Sequence, residues 1–157
     1  MRYQLLGPSG LRVSELRPGT MSFGDAWGFG ADEKESHRSL GEFADAGGNF
    51  VDTANVYHQG QSEEILGSFL GPGRDRWVVA TKYTLAMRPG DPNAAGNSRK
   101  NLRSSVEASL RRLRTDYSAC RSVPGRRWGP ASSPASTPAA RRPAPPTAAA
   151  PPPTRPA

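Results

Sequence analysis

This sequence predicts an α/β fold in which strands and helices alternate, and three features carry that prediction. Two short apolar runs, Phe50-Val51 and Trp77-Val78-Val79-Ala80, read as strands and break off abruptly into polar residues. Apolar residues recur at helical spacing around them, first Leu40, Phe43 and Ala44, then Ile65, Leu66, Phe69 and Leu70, then Leu102, Val106, Leu110 and Leu113. Gly47-Gly48 and Gly71-Pro72-Gly73 stop the first two of those segments.

Taken in order, Met1 to Ser14 predicts a short hairpin turning at Gly7-Pro8-Ser9-Gly10. A first core strand is expected near Glu15 to Thr20. Arg17-Pro18 weakens it, because proline removes a ladder donor and arginine is costly to bury. Asp32 and Glu35 form a capping box for helix one. Strand two is the run at Phe50. Ser62 is expected to cap helix two, with Glu63 and Glu64 in its first turn. Strand three spans Arg76 to Lys82. The stretch from Thr84 to Asn97 is rich in Gly, Pro and Asn and reads as a long loop. Helix three begins at Ser98, with Leu102, Val106, Leu110 and Leu113 as its inner stripe and Arg103, Glu107 and Arg111 on a solvated face.

The chemistry gathers where two strands end. Asp52 closes the second strand, Tyr57 follows on the loop beyond it, and Lys82 closes the third. A lysine ending a buried strand needs a partner, and Asp52 stands at the same end of the neighbouring strand. An ammonium beside a phenol favours the phenolate, which makes the phenol a better proton donor. Asp52 would hold Lys82 charged and oriented. From these residues alone a second reading stands beside this one, in which Asp52 caps the strand end and Tyr57 packs on the surface. The two histidines are His37, on helix one, and His58, next to Tyr57, which reads as an exposed loop residue.

The chain resembles the aldo-keto reductase family. The resemblance rests on the Tyr3–Val13 hairpin, Gly19-Thr20-Met21, Phe50-Val51-Asp52-Thr53-Ala54-Asn55-Val56-Tyr57, Ser62-Glu63-Glu64-Ile65-Leu66-Gly67, Ala80-Thr81-Lys82-Tyr83, and Leu110-Arg111-Arg112-Leu113-Arg114-Thr115-Asp116-Tyr117. It covers residues 1–117 and implies the N-terminal part of an eight-stranded parallel β/α (TIM) barrel, with the hairpin plugging its bottom. It implies an oxidoreductase that uses NADPH or NADH to reduce an aldehyde or ketone. By resemblance Asp52, Tyr57 and Lys82 are three of four catalytic residues, and Gly19, Thr20, Met21 and Asp52 face the nicotinamide end of the cofactor. The loop after strand three would border the substrate pocket. No metal site is expected.

Length and composition set limits. The chain has 157 residues, whereas a closed β/α barrel takes about 250. The expected barrel is therefore incomplete, with open sheet edges through which copies would self-associate. Its one cysteine, Cys120, excludes an internal disulfide, and no apolar run approaches a membrane span, so a cytoplasmic protein is expected. Six arginines and no acidic residue after Tyr117 supply +6 of the formal +7, leaving residues 1–117 at +1.

From 118 to 157 the resemblance ends. Eleven of these 40 residues are proline, and Leu, Ile and Phe are absent, so a disordered tail is expected. The family's fourth strand and its catalytic histidine have no counterpart there. A frameshifted or truncated, catalytically impaired reductase is the resulting expectation. An inactive fragment, or weak salt-dependent binding of nucleic acid or an acidic partner through the arginine tail, is the alternative.

Overall fold

The computed structural model describes residues 1–118, which lie within one compact unit. Apart from Ser118, the expected tail and its arginine surface lie outside the described residues. Strands β1 (Tyr3–Leu5) and β2 (Arg12–Ser14) form an antiparallel hairpin in which Tyr3 faces Ser14 and Leu5 faces Arg12. Strands β3 (Phe50–Asp52) and β4 (Val78–Ala80) pair in parallel, with Asp52 level with Ala80. That register brings the two charged strand ends to one edge of the sheet, because Thr53 N–H bonds to Ala80 O at 2.8 Å and Asn55 N–H to Lys82 O at 3.0 Å.

The expected first strand shrinks to a single parallel bridge between Gly19 and Asp52. Thr20 N–H reaches Asp52 O at 3.0 Å, and Asp52 N–H reaches Pro18 O at 3.1 Å. Pro18 has no N–H with which to extend the ladder, and the Arg17 guanidinium lies over the Phe50 ring instead of entering the core. Strand three is also shorter than expected, because a 3-10 turn over Gly71–Arg76 takes up its first residue.

Side chains alternate across β3 and β4, as a pleated strand requires. Val51 and Val79 point to one face and pack with Leu40, Ile65, Leu66 and Leu70 from the helices, with Leu113 at the end of α3 and with Trp77 just before β4. Phe50, Val78 and Ala80 point to the other face, where the hairpin covers them with Val13. Burial on both faces is the usual condition of a parallel sheet.

Helix α1 (Glu33–Asp45) begins as expected, with the Asp32 carboxylate accepting Glu35 N–H at 2.8 Å. Helix α2 (Gln61–Leu70) does not. Its cap is Gly60 at φ 103°, and Ser62 is fully buried inside the first turn. Helix α3 (Arg99–Arg112) starts on the Ser98 hydroxyl, which accepts Asn101 N–H at 3.1 Å.

Of the expected inner stripe of helix three, Leu113 is buried in the core, and the rest is corrected. Asn101, Ser105 and Ser109 are the buried positions within the helix, while Leu102 is exposed. Asn101 faces inward with its amide donating to the Gly96 carbonyl at 2.9 Å, Ser105 donates to Asn101 Oδ1 at 3.3 Å, and the end of α3 approaches α2 closely. A Cβ on Gly67 would stand 2.3 Å from the Arg112 carbonyl oxygen. Leu102, Val106 and Leu110 instead line an open hollow of about 1190 Å³. Among the described residues, no helix is long and apolar enough to cross a membrane.

Candidate active site

Lys82 stands at the centre of the strand-end cluster. Its ammonium donates to Asp52 Oδ2 at 2.9 Å, to the Thr53 carbonyl at 2.8 Å and to Tyr57 Oη at 3.5 Å. The Lys82 and Asp52 side chains are only 28% and 20% exposed, so this ion pair is screened less than a surface pair. Nζ also lies 5.1 Å from the centre of the Tyr57 ring, close enough for a cation–π contact. Tyr57 and Lys82 open onto a hollow of about 240 Å³ that Thr84 and Leu85 help to line. The larger hollow along α3 contains none of the three residues.

Local structure explains why these side chains meet. The β3–β4 register sets Asp52 beside the end of β4, and Asn55 N–H captures the Lys82 carbonyl. Behind them lies a buried hydroxyl cluster. Thr20 Oγ1 donates to Thr53 Oγ1 at 2.8 Å and lies 2.7 Å from Ser62 Oγ, whose hydroxyl also donates to the Thr20 carbonyl at 2.8 Å. This cluster ties the first loop, the end of β3 and the start of α2 together, and it fixes the Thr53 carbonyl that Lys82 binds. Thr20 therefore turns its side chain inward, while Met21 is exposed beside it. Gly19 lies level with Asp52, with nothing within 4 Å of the place where a Cβ would stand.

Several features escaped the sequence reading. Thr20 was expected to face the cofactor and Ser62 to cap helix two, and neither expectation contained the buried hydroxyl cluster that joins them to Thr53. His58 was expected on the surface but is 1% exposed. Trp27 stacks on it at 4.5 Å and Phe29 meets it edge-on at 5.3 Å. The stretch Phe23-Gly24-Asp25-Ala26-Trp27-Gly28-Phe29-Gly30, with glycines interleaved with aromatics, was the available signal. Glu63 stands in the first turn of α2 as expected, but it has no exposed surface and pairs with Arg112.

The Aldo/keto reductase family profile matches residues 15–119. The chain belongs to this family. The chain is 44% identical over 131 aligned positions to an aryl-alcohol dehydrogenase [NADP(+)] of Phanerodontia chrysosporium, covering 74% of this chain and 34% of that one. It is 46% identical over 126 positions to the norsolorinic acid reductase of Emericella nidulans, covering 73% and 33%. Among solved structures, the holo form of an aldo-keto reductase from Bacillus halodurans superposes with a TM-score of 0.66 at 36% identity, covering 75% of this chain and 38% of that one. These neighbours belong to a TIM-barrel family, so the β3–β4 pair corresponds to part of a barrel wall. The chain spans about a third of the length of the relatives it matches.

Proposed function

We propose that Tyr57, Lys82 and Asp52 are the proton-donating half of a carbonyl oxidoreductase site acting on aldehydes or ketones. The observation that carries this reading is the single ammonium of Lys82 held between the Asp52 carboxylate and the Tyr57 hydroxyl. Tyr57 Oη gives its proton to the substrate oxygen as negative charge develops there. Lys82 stabilises the phenolate left behind, and Asp52 keeps the lysine charged and pointed at it. Thr53 supplies a second fixed acceptor, so Lys82 has little freedom to leave.

A reduced nicotinamide cofactor, NADPH or NADH, supplies the hydride when bound. The residues present fit its nicotinamide end. Gly19 leaves open space next to Asp52, and Met21 is exposed at the same strand ends. Thr20 contributes through its backbone position alone, since its hydroxyl is committed to the buried cluster. The similarity to an aryl-alcohol dehydrogenase [NADP(+)] of Phanerodontia chrysosporium supports NADP as the cofactor and aryl alcohols as the substrate class.

These 157 residues by themselves are taken to be catalytically impaired. They include three β/α units of a barrel wall, and neither of the two histidines, His37 on α1 and His58 on the loop after β3, stands on a fourth strand. Positioning errors of about 1 Å cost on the order of 100-fold in rate, so a proton donor without a fixed carbonyl and hydride turns over poorly. The test is a fluorescence titration of NADPH against the purified chain, followed by NADPH oxidation with a panel of aromatic aldehydes. Weak or absent binding with no oxidation is expected from the chain alone. Turnover that survives Tyr57→Phe would overturn the assignment of the proton donor.

A further inference from the structure

We infer that His58 is a positioning residue that locks the loop of residues 22–31, so that the exposed rings of Trp27 and Phe29 form an aromatic wall beside Tyr57. The loop is closed by its own backbone, with Gly24 N–H on Ala31 O at 2.8 Å and Ala31 N–H on Ser22 O at 2.7 Å. It is packed so tightly that a Cβ on Gly30, at φ 118°, would lie 2.1 Å from the Gly24 carbonyl oxygen. Two side chains beyond Tyr57 hold it from below. Gln61 Oε1 accepts the N–H groups of Asp25 and Ala26 at 2.9 and 3.0 Å, and its Nε2 donates to Asp25 Oδ1 at 2.9 Å. His58 Nδ1 accepts Trp27 N–H at 3.3 Å, while its ring lies against both Trp27 and Phe29.

The arrangement lowers stability, and that is the reason to look for a role. His58 and Gln59 adopt left-handed backbone at φ 47° and 59°, a region that disfavours side chains other than Gly, Asn and Asp. The His58 ring is buried, at 1% exposure. Backbone strain next to a reacting group persists where surrounding structure holds it for a purpose. What the strain secures here is the placement of Trp27, whose ring stands edge-on to the Tyr57 ring with centroids 6.5 Å apart at 82°. Trp27 and Phe29 remain 37% and 54% exposed, so the wall has an open aromatic face. A flat aromatic carbonyl compound is the ligand such a face would take. That last step rests on the carbonyl-reducing role proposed for Tyr57, whereas the locking of the loop does not.

The test uses the full 157-residue chain and two variants suited to left-handed backbone. His58→Asn keeps an acceptor near the Nδ1 position, and His58→Gly removes both acceptor and ring. The near-UV circular dichroism of Trp27, taken as the difference from the Trp27→Phe chain, is read first, without any ligand. The expected result is a band retained in the Asn variant and lost in the Gly variant. An unchanged band in the Gly variant overturns the inference, as does equal loss in both or loss of the far-UV helix signal in both. If only the Gly variant unfolds, the Asn variant decides, and a folded Asn variant without the band overturns the inference.

Benzaldehyde is then titrated by quenching of Trp27 fluorescence. Binding in the Gly variant is expected to weaken roughly fivefold, the scale of one lost hydrogen bond, and to recover in the Asn variant. A chain that shows the expected dichroism but binds no benzaldehyde overturns the carbonyl-reducing reading and leaves the role of His58 standing.

Discussion

Arg112 Nε donates to Glu63 Oε2 at 2.8 Å and ties the end of α3 to the first turn of α2, across 49 positions of sequence. Glu63 is fully buried, and its other oxygen accepts the Thr81 hydroxyl at 2.5 Å, so one carboxylate joins α2, α3 and the residue after β4. Removing one partner of such a pair leaves a buried charge without compensation, which typically costs about 3–5 kcal/mol. Glu63→Ala and Arg112→Ala should each lower the urea midpoint sharply. Combining Glu63→Ala with Arg112→Ala should cost much less than the sum of the two single changes. Additive losses in the double-mutant cycle would show that the pair does not act as a unit.

Chemistry at the strand ends has its own signature. In a longer chain that restores the barrel after Tyr117, Tyr57→Phe should cut the rate of NADPH-dependent aldehyde reduction by about 100- to 10,000-fold, the range for a lost general acid. Lys82→Met should slow it comparably, because the phenolate then forms without the ammonium at 3.5 Å. Both variants should fold, and helix content by circular dichroism checks that. A rate unchanged by Tyr57→Phe would remove Tyr57 from the mechanism.

Acid should loosen the loop that borders the site. Asp91 accepts Asn93 N–H at 2.8 Å and the Arg88 guanidinium at 3.1 and 3.2 Å, and these bonds hold its carboxyl below the ordinary carboxylate range, the backbone bond most of all. A depressed value means the contribution is present above the unfolded value of about 4 and lost as the pH falls through the folded one. Amide exchange across residues 84–97, corrected for intrinsic rates, should therefore rise as the pH drops below about 4. Asp91→Asn should raise exchange already at pH 7 and flatten the acid dependence. A loop equally protected at pH 3 and pH 7 would contradict this.

Among the described residues, β4 pairs with β3 on one side and with no strand on the other. An unpaired edge templates pairing with another copy. Sedimentation velocity should show concentration-dependent association of the purified chain. Val79→Pro removes an edge N–H but should destabilise the sheet as well as the association, so the concentration dependence of the unsubstituted chain is the readout. A monodisperse monomer at every concentration would show that the edge is covered.

Much of this molecule was legible from local chemistry. Asp32 before a helix with Glu35 at its third position, and Ser98 before another, mark starts that the backbone bonds reproduce, because capping involves only neighbours in sequence. Asp52, Tyr57 and Lys82 were also readable, since a lysine closing an apolar strand needs a carboxylate and the strand ends share one side of the sheet. Tertiary packing decided what periodicity does not contain. It turned Asn101 and Ser105 inward and left Leu102 exposed, because the Asn101 amide finds the Gly96 carbonyl and the Ser105 hydroxyl finds Asn101. It buried Glu63 because Arg112 and Thr81 arrive to satisfy it, and it buried His58 because two aromatic residues from a loop 30 positions earlier close over it. A residue's own neighbours set its backbone, but partners distant in sequence determine whether a charge or an imidazole can leave water.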